Sequence, residues 1–228
     1  MKTALRRIAA LSLASLVAVG LVACSGNTTS QSPASTPPAA THTSTSTPTP
    51  EQIQGTLIEA PQSGITFIVP KGWQPLDLAQ LKDIPSSEWP TALEKMADAA
   101  GLDLETFISY FASMVEVVVV SDKDDEFVDN ISVLPTPVSQ LPSDDSLLSE
   151  TTELGWTDVS IDRPKLAAGE AIVVNSKMVM DGTAVHRRSM IINTGNPQKG
   201  AVITVSARTD ASASEIAELI IKSLEITN

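Results

Sequence analysis

Cys24 is the only thiol in this chain of 228 residues, and it closes the tetrapeptide Leu21-Val22-Ala23-Cys24. A thiolate is the one side chain here able to take up a diacylglyceryl group as a thioether. The small residues Val22 and Ala23 ahead of it suit the peptidase that trims lipoprotein precursors. Upstream, Lys2, Arg6 and Arg7 precede an apolar stretch from Ile8 to Val22. A basic segment followed by an apolar run too short to span comfortably reads as a secretory signal rather than a transmembrane helix. The expectation is therefore a lipobox, with residues 1–23 as signal peptide and Cys24 acylated at the start of the mature chain. That places the protein at the outer face of the cytoplasmic membrane, held there by two acyl chains, which suffice for stable anchoring.

Other reactive constellations are scarce. Nucleophilic hydrolysis needs a Ser or Cys beside a His base, yet beyond residue 52 the chain has one His, His186, and no Cys. Neither Gly-x-Ser-x-Gly nor Ser-x-x-Lys occurs. A zinc site built from His and Cys lacks the ligands. The acidic cluster Asp122, Asp124, Asp125, Glu126 and Asp129 invites a calcium loop, but an EF-hand begun at Asp122 would put Phe127 where Gly belongs and Val133 where the bidentate Glu belongs. A solvated loop is the better reading. Carboxylates that act in pairs on glycosides are defined by a separation of about 5 to 10 Å, which spacing along the chain does not show. The residues point to a non-enzymatic role, with no cofactor and no metal.

Two groups of side chains have the chemistry to bind something. Pairing across the Asp181-Gly182 turn sets Lys177 opposite His186 and Asn175 opposite Arg188, and period-two alternation places all four on one sheet face. That makes a small cationic patch suited to an anionic headgroup, unless surface carboxylates neutralise it. Trp89, Met96, Phe107, Tyr110 and Phe111 lie on a helical pair, where aromatic and Met side chains against a sheet would line a pocket for an acyl chain or a sugar face. The plainer reading of such a stripe is core.

The elements that must position these residues follow from composition and periodicity. The formal net charge of −12 becomes 12 − 27 = −15 once the signal's three basic residues are removed. Nucleic acid is a poor partner for such a chain, because phosphate backbones are bound through clustered Lys and Arg. Residues 24–52 hold the lipidated Cys and a segment that, from Ser25 to Pro50, is dominated by Thr, Ser, Pro and Ala, with no Asp, Glu, Lys or Arg and no large apolar residue. Such a segment cannot bury enough surface to offset its ordering entropy. It is a disordered tether with a reach of about 85 Å at most and an end-to-end distance nearer roughly 30 Å.

Residues 53–228 are long enough to build one hydrophobic core without disulfides. Thr56 to Ala60 and Ile65 to Val69 read as a hairpin around Gly64. Leu93, Met96, Ala97 and Ala100 fall at helical spacing before Gly101, and Asp103 caps a second helix with Leu104, Phe107, Ile108, Phe111 and Val115 on one face. Val115 to Val120 and Asn130 to Leu134 read as strands, with a helix near Asp144 to Leu154. Ala171 to Met180, Thr183 to Asn193 and Ala201 to Arg208 form a meander, and Ser212 with Glu215 makes a capping box for a last helix. The fold class is α+β, an antiparallel sheet with helices packed on it.

The order of landmarks is similar to that of a known family. Gly64-Ile65-Thr66-Phe67-Ile68-Val69-Pro70-Lys71-Gly72-Trp73, Asp129-Asn130-Ile131-Ser132-Val133, the Asp181-Gly182 hairpin, Ala201 to Ser206 and the closing helix together resemble the LpqN-type lipoproteins of actinobacteria, whose domain belongs to the PsbP-like α/β/α group. The resemblance implies a Gram-positive, actinobacterial envelope protein with a binding or accessory role. Its partners would be a lipid or glycolipid ligand, or, in an alternative without small-molecule ligand, a membrane transporter or envelope-assembly enzyme. It carries no catalytic motif and assigns no site residue.

Overall fold

The computed structural model describes residues 54–76, 91–122, 127–138, 140–166, 169–180 and 182–227. Cys24, the signal peptide, the tether and Trp89 lie outside them. The hairpin read from sequence is present as β1 (Thr56–Ala60) and β2 (Ile65–Val69), followed by β3 (Gln74–Leu76). Next come α1 (Thr91–Ala100), α2 (Leu104–Met114), β4 (Val117–Val120), β5 (Asn130–Pro135) and α3 (Asp144–Glu153). The rest is β6 (Thr157–Asp162), β7 (Lys165–Leu166), β8 (Gly169–Met180), β9 (Thr183–Asn193), β10 (Gly200–Ala207), α4 (Asp210–Ser223) and β11 (Glu225–Ile226). The α+β expectation holds.

An antiparallel sheet of order β3-β4-β5-β10-β9-β8-β6, with β7 added beside β8, forms the middle layer. Alternation along its strands divides the side chains between two cores. On one face Val119, Ile131, Ile203, Val205, Met190 and Val173 meet Ile216, Ala217 and Ile220 of α4, together with Phe67 and Val69 of the small sheet β1-β2-β11. On the other, α1 and α2 cover Val118 and Val120 through Leu93, Phe107, Ile108 and Phe111. Further along that face, Leu147 of α3 packs with Ile172, Val174, Ile191 and Val202. Helices thus lie on both faces of the large sheet, because strands buried on both sides must be covered on both sides.

Local signals account for most boundaries. Asp103 accepts a hydrogen bond from the Thr106 N–H at 2.8 Å and begins α2 as expected. Gly101 at φ +68° ends α1, and Leu102 N–H reaches back to the Ala97 carbonyl at 3.0 Å, a turn that favours glycine because it needs a left-handed residue. The capping box is a correction. The N-cap of α4 is Thr209, whose hydroxyl accepts from the Ser212 N–H at 3.1 Å, so the helix begins earlier than Ser212. Ser212 instead donates its hydroxyl to Asp129 at 3.2 Å. Thr209→Ala is therefore expected to cost about 1 kcal/mol, whereas Glu215→Ala changes stability by under about 0.5 kcal/mol, as an exposed substitution does. Urea denaturation of the two variants distinguishes the caps, and the reverse ranking would restore the capping box.

Candidate functional site

The helical pair is core rather than a lined pocket. Phe107 and Phe111 stack with ring centroids 4.8 Å apart, and both are buried against Val118 and Val120. Met96 packs on the same cluster while partly exposed. Tyr110 points away, 36% exposed, so Phe107, Tyr110 and Phe111 do not converge on one cavity.

The hairpin register is as the sequence dictated, with Asn175 opposite Arg188 and Lys177 opposite His186. Its surroundings differ from a free patch. The start of α4 lies against this face, and Arg188 is only 9% exposed. Its Nη2 donates to the Asp210 carboxylate and, at 3.0 Å, to Ser214 Oγ. His186 Nδ1 lies 3.5 Å from the same Asp210 oxygen. Asn175 donates to Ser160 at 3.1 Å and to Asp162 at 2.8 Å. Arg188 is thus a structural pin between β9 and α4, not an exposed cation, and replacing it disturbs that packing.

This pin makes a pH prediction. The Arg188 guanidinium, with His186 behind it, holds the Asp210 carboxyl below its ordinary value. A depressed folded-state value means stability that is present above the unfolded carboxylate pKa and lost as pH falls through the folded one. Wild type should therefore exceed Asp210→Asn in thermal midpoint at pH 7, and the gap should close on acidification below about pH 4. A gap unchanged at pH 2.5 would show that the ion pair is not its source. Because Asp210 is largely exposed, solvent screening keeps the effect small.

The residues that sequence reasoning passed over lie on the opposite face. Along it, cross-strand pairing aligns Ser132, Thr204 and Ser189 in one row, and Asn130, Ser206, Arg187 and Ser176 in the next. Thr204 and Ser206 sit on β10, in the middle of the sheet, yet remain partly exposed. α1 and α2 pack over β4 and the end of β5, and α3 packs over β8, β9 and one end of β10, so the groove between the two helical groups is the strip where Thr204 and Ser206 stay partly exposed while Ser132, Ser189, Arg187 and Ser176 beside them are buried.

Arg187 lies on this floor, 8% exposed. Its guanidinium carbon is 3.8 Å from the ring centroid of Trp156, and its Nε donates to Ser176 Oγ at 3.2 Å. Trp156 follows α3 by way of Gly155 at φ +84°, a left-handed turn that swings the indole back onto the sheet. The indole Nε1–H is enclosed and has no acceptor among the described residues. No carboxylate among the described residues pairs with Arg187, and burial alone pushes its guanidinium down to about 10. A signal existed in the sequence. Two adjacent arginines in a strand buried on both faces must send one guanidinium into each face.

A second groove, of 370 Å³, lies at the C-terminal end of α2 between Met114, Val115, Leu134, Pro135 and Thr136. Its carboxylate, Glu116, is committed to the β1–β2 turn. It accepts from the Gln62 N–H at 2.6 Å, the Ser63 N–H at 3.0 Å and the Ser63 hydroxyl at 2.7 Å. Asp129 of the acidic cluster is likewise structural, accepting from the Arg208 N–H at 3.0 Å as well as from Ser212. Asp124, Asp125 and Glu126 lie outside the described residues.

Fold and site together define the class, an α+β domain with helices on both faces of an antiparallel sheet and a polar groove across its central strands. No family model matches the chain, and no curated protein matches it. Among solved structures it is similar to LpqN, a protein involved in cell envelope biogenesis of Mycobacterium tuberculosis, at 16% identity and a TM-score of 0.42, over 78% of this chain and 93% of that one. That is a distant likeness, short of family membership.

Proposed function

We propose that this chain is an extracytoplasmic lipoprotein, anchored through Cys24, whose domain binds an amphipathic ligand of the cell envelope rather than catalysing a reaction. The observation that carries the binding reading is the groove. Thr204 and Ser206 stay partly open although they lie on the central strand β10. The apolar row of Val202, Ile191 and Ile172 beside these hydroxyls is closed by Leu147 of α3, so the opening itself is polar. A polar opening held between two apolar helical groups suits the head of a lipid or glycolipid.

Two experiments test the reading. Organic extraction and mass spectrometry of the intact purified protein should recover a bound lipid, and envelope lipids or glycolipids should change the fluorescence of Trp156. A protein that carries no lipid and gives no fluorescence response with any of them overturns the ligand. For the anchor, Cys24→Ala should move the chain out of the detergent phase. Full retention there by the variant would sink the lipobox reading.

A further inference from the structure

Arg187 is more than nine-tenths buried, but it lacks what normally accompanies a buried cation. A buried charge is normally paired with a counter-charge and saturated with hydrogen bonds. Among the described residues Nε alone donates, to Ser176 Oγ. Among the described residues neither Nη group has an acceptor, and neither is fully enclosed. Trp156 supports one face of the guanidinium and holds it flat. Its own Nε1–H is enclosed without an acceptor, a second unsatisfied donor beside the first. Ser206 is the cross-strand partner of Arg187 on β10, and its hydroxyl lies on the same face.

Every unsatisfied group in this cluster is a donor or a hydroxyl, so the missing partner must be an acceptor, and the fixed cation asks for a negative one. Planar guanidinium groups recognise paired oxygens of carboxylates and phosphates through two parallel hydrogen bonds. We propose that Arg187, Trp156 and Ser176 form an oxyanion-binding site on the groove floor, which receives a carboxylate or phosphoryl oxygen pair on the guanidinium edge. The inference rests on the groove being a binding site and names the chemistry of the group it holds, the anionic part of an amphipathic ligand or a free anion.

Isothermal titration of the intact protein in non-ionic detergent tests it, with sodium phosphate, sodium acetate and dihexanoylphosphatidylglycerol as probes. At least one is expected to bind saturably at pH 7. Arg187→Met should lose that binding by at least tenfold. Trp156→Phe, which replaces the indole under the guanidinium with a smaller ring, should weaken it by about threefold, because a phenyl ring holds the cation less firmly than an indole. Tighter binding of the short-chain lipid than of phosphate identifies a headgroup as the source, and equal binding identifies the free anion. Should Arg187→Met melt early, Trp156→Phe and Ser176→Ala, which retain the cation, carry the comparison. A wild type that takes up none of the probes, or variants that bind as tightly as wild type, overturns the oxyanion site. Lipid recovered by extraction in that event leaves the groove as a binding site for an uncharged ligand, so the two readings fail separately.

Discussion

Phe107→Ala is expected to lower unfolding stability by about 3 to 5 kcal/mol, the range for removing a fully enclosed aromatic ring from a core. The ring is buried, stacked on Phe111 and packed on β4, so its loss removes contacts on every side and leaves a cavity between α2 and the sheet. At about 2 to 4 °C per kcal/mol for a domain of this size, the thermal midpoint should fall by on the order of 10 °C. The comparison that matters is with the pocket reading of the same stripe. A ring that lined an open cavity would already face solvent or ligand, and its truncation would cost under about 1 kcal/mol while impairing binding. Urea denaturation with an unchanged slope decides between them, and a small loss of stability would return the helical pair to the list of sites.

Arg187→Met should do the opposite and stabilise the protein in the absence of ligand. Burial pushes the guanidinium down from its ordinary value to about 10, so folding disfavours the charged form. For a base with a depressed folded-state value, that penalty is fully present at neutral pH and fades only as pH rises from the folded value to the unfolded one. The shift corresponds to about 3 kcal/mol. The methionine forfeits the stacking on Trp156 and the bond to Ser176, which together offset about 1 to 2 kcal/mol. A net gain of about 1 to 2 kcal/mol at pH 7 remains, measured as a higher urea midpoint. Loss of more than about 1 kcal/mol would mean that the cation is held by interactions that compensate its burial.

Much of the architecture was legible because its signals are local. β1, β2 and β9 begin and end where alternation and turn residues put them, and Asp103 caps α2 because nothing else nearby competes. The misreadings have tertiary causes. Thr209 and Ser212 are both competent caps, and the choice between them was made by Asp129, 83 residues from Ser212, which takes the Ser212 hydroxyl for itself. β6 was missed because Thr157–Asp162 is an exposed edge strand with few apolar residues, broken by a register shift at Thr157/Ser160 and by Asp158 at φ +52°. Alternation correctly set Arg188 opposite Asn175, but not that α4 would close over it. On the other face, the site at Arg187 depended on where the turn after α3 delivers Trp156, and neither residue is exceptional in its own segment.

The first hairpin of the domain is completed by its last residues. Ile68 N–H donates to Ser223 Oγ at 2.9 Å across 155 residues of sequence. Thr227 N–H closes on the Gly64 carbonyl, and Glu225 pairs with Thr66. Until that segment arrives, β2 keeps an open edge and Phe67 lacks the helix that covers it. Contacts so distant along the chain form late, after the entropy of closing a long loop has been overcome. Emergence from the ribosome therefore does not let the domain lock piece by piece. The domain stays unlatched until its C-terminal segment is present.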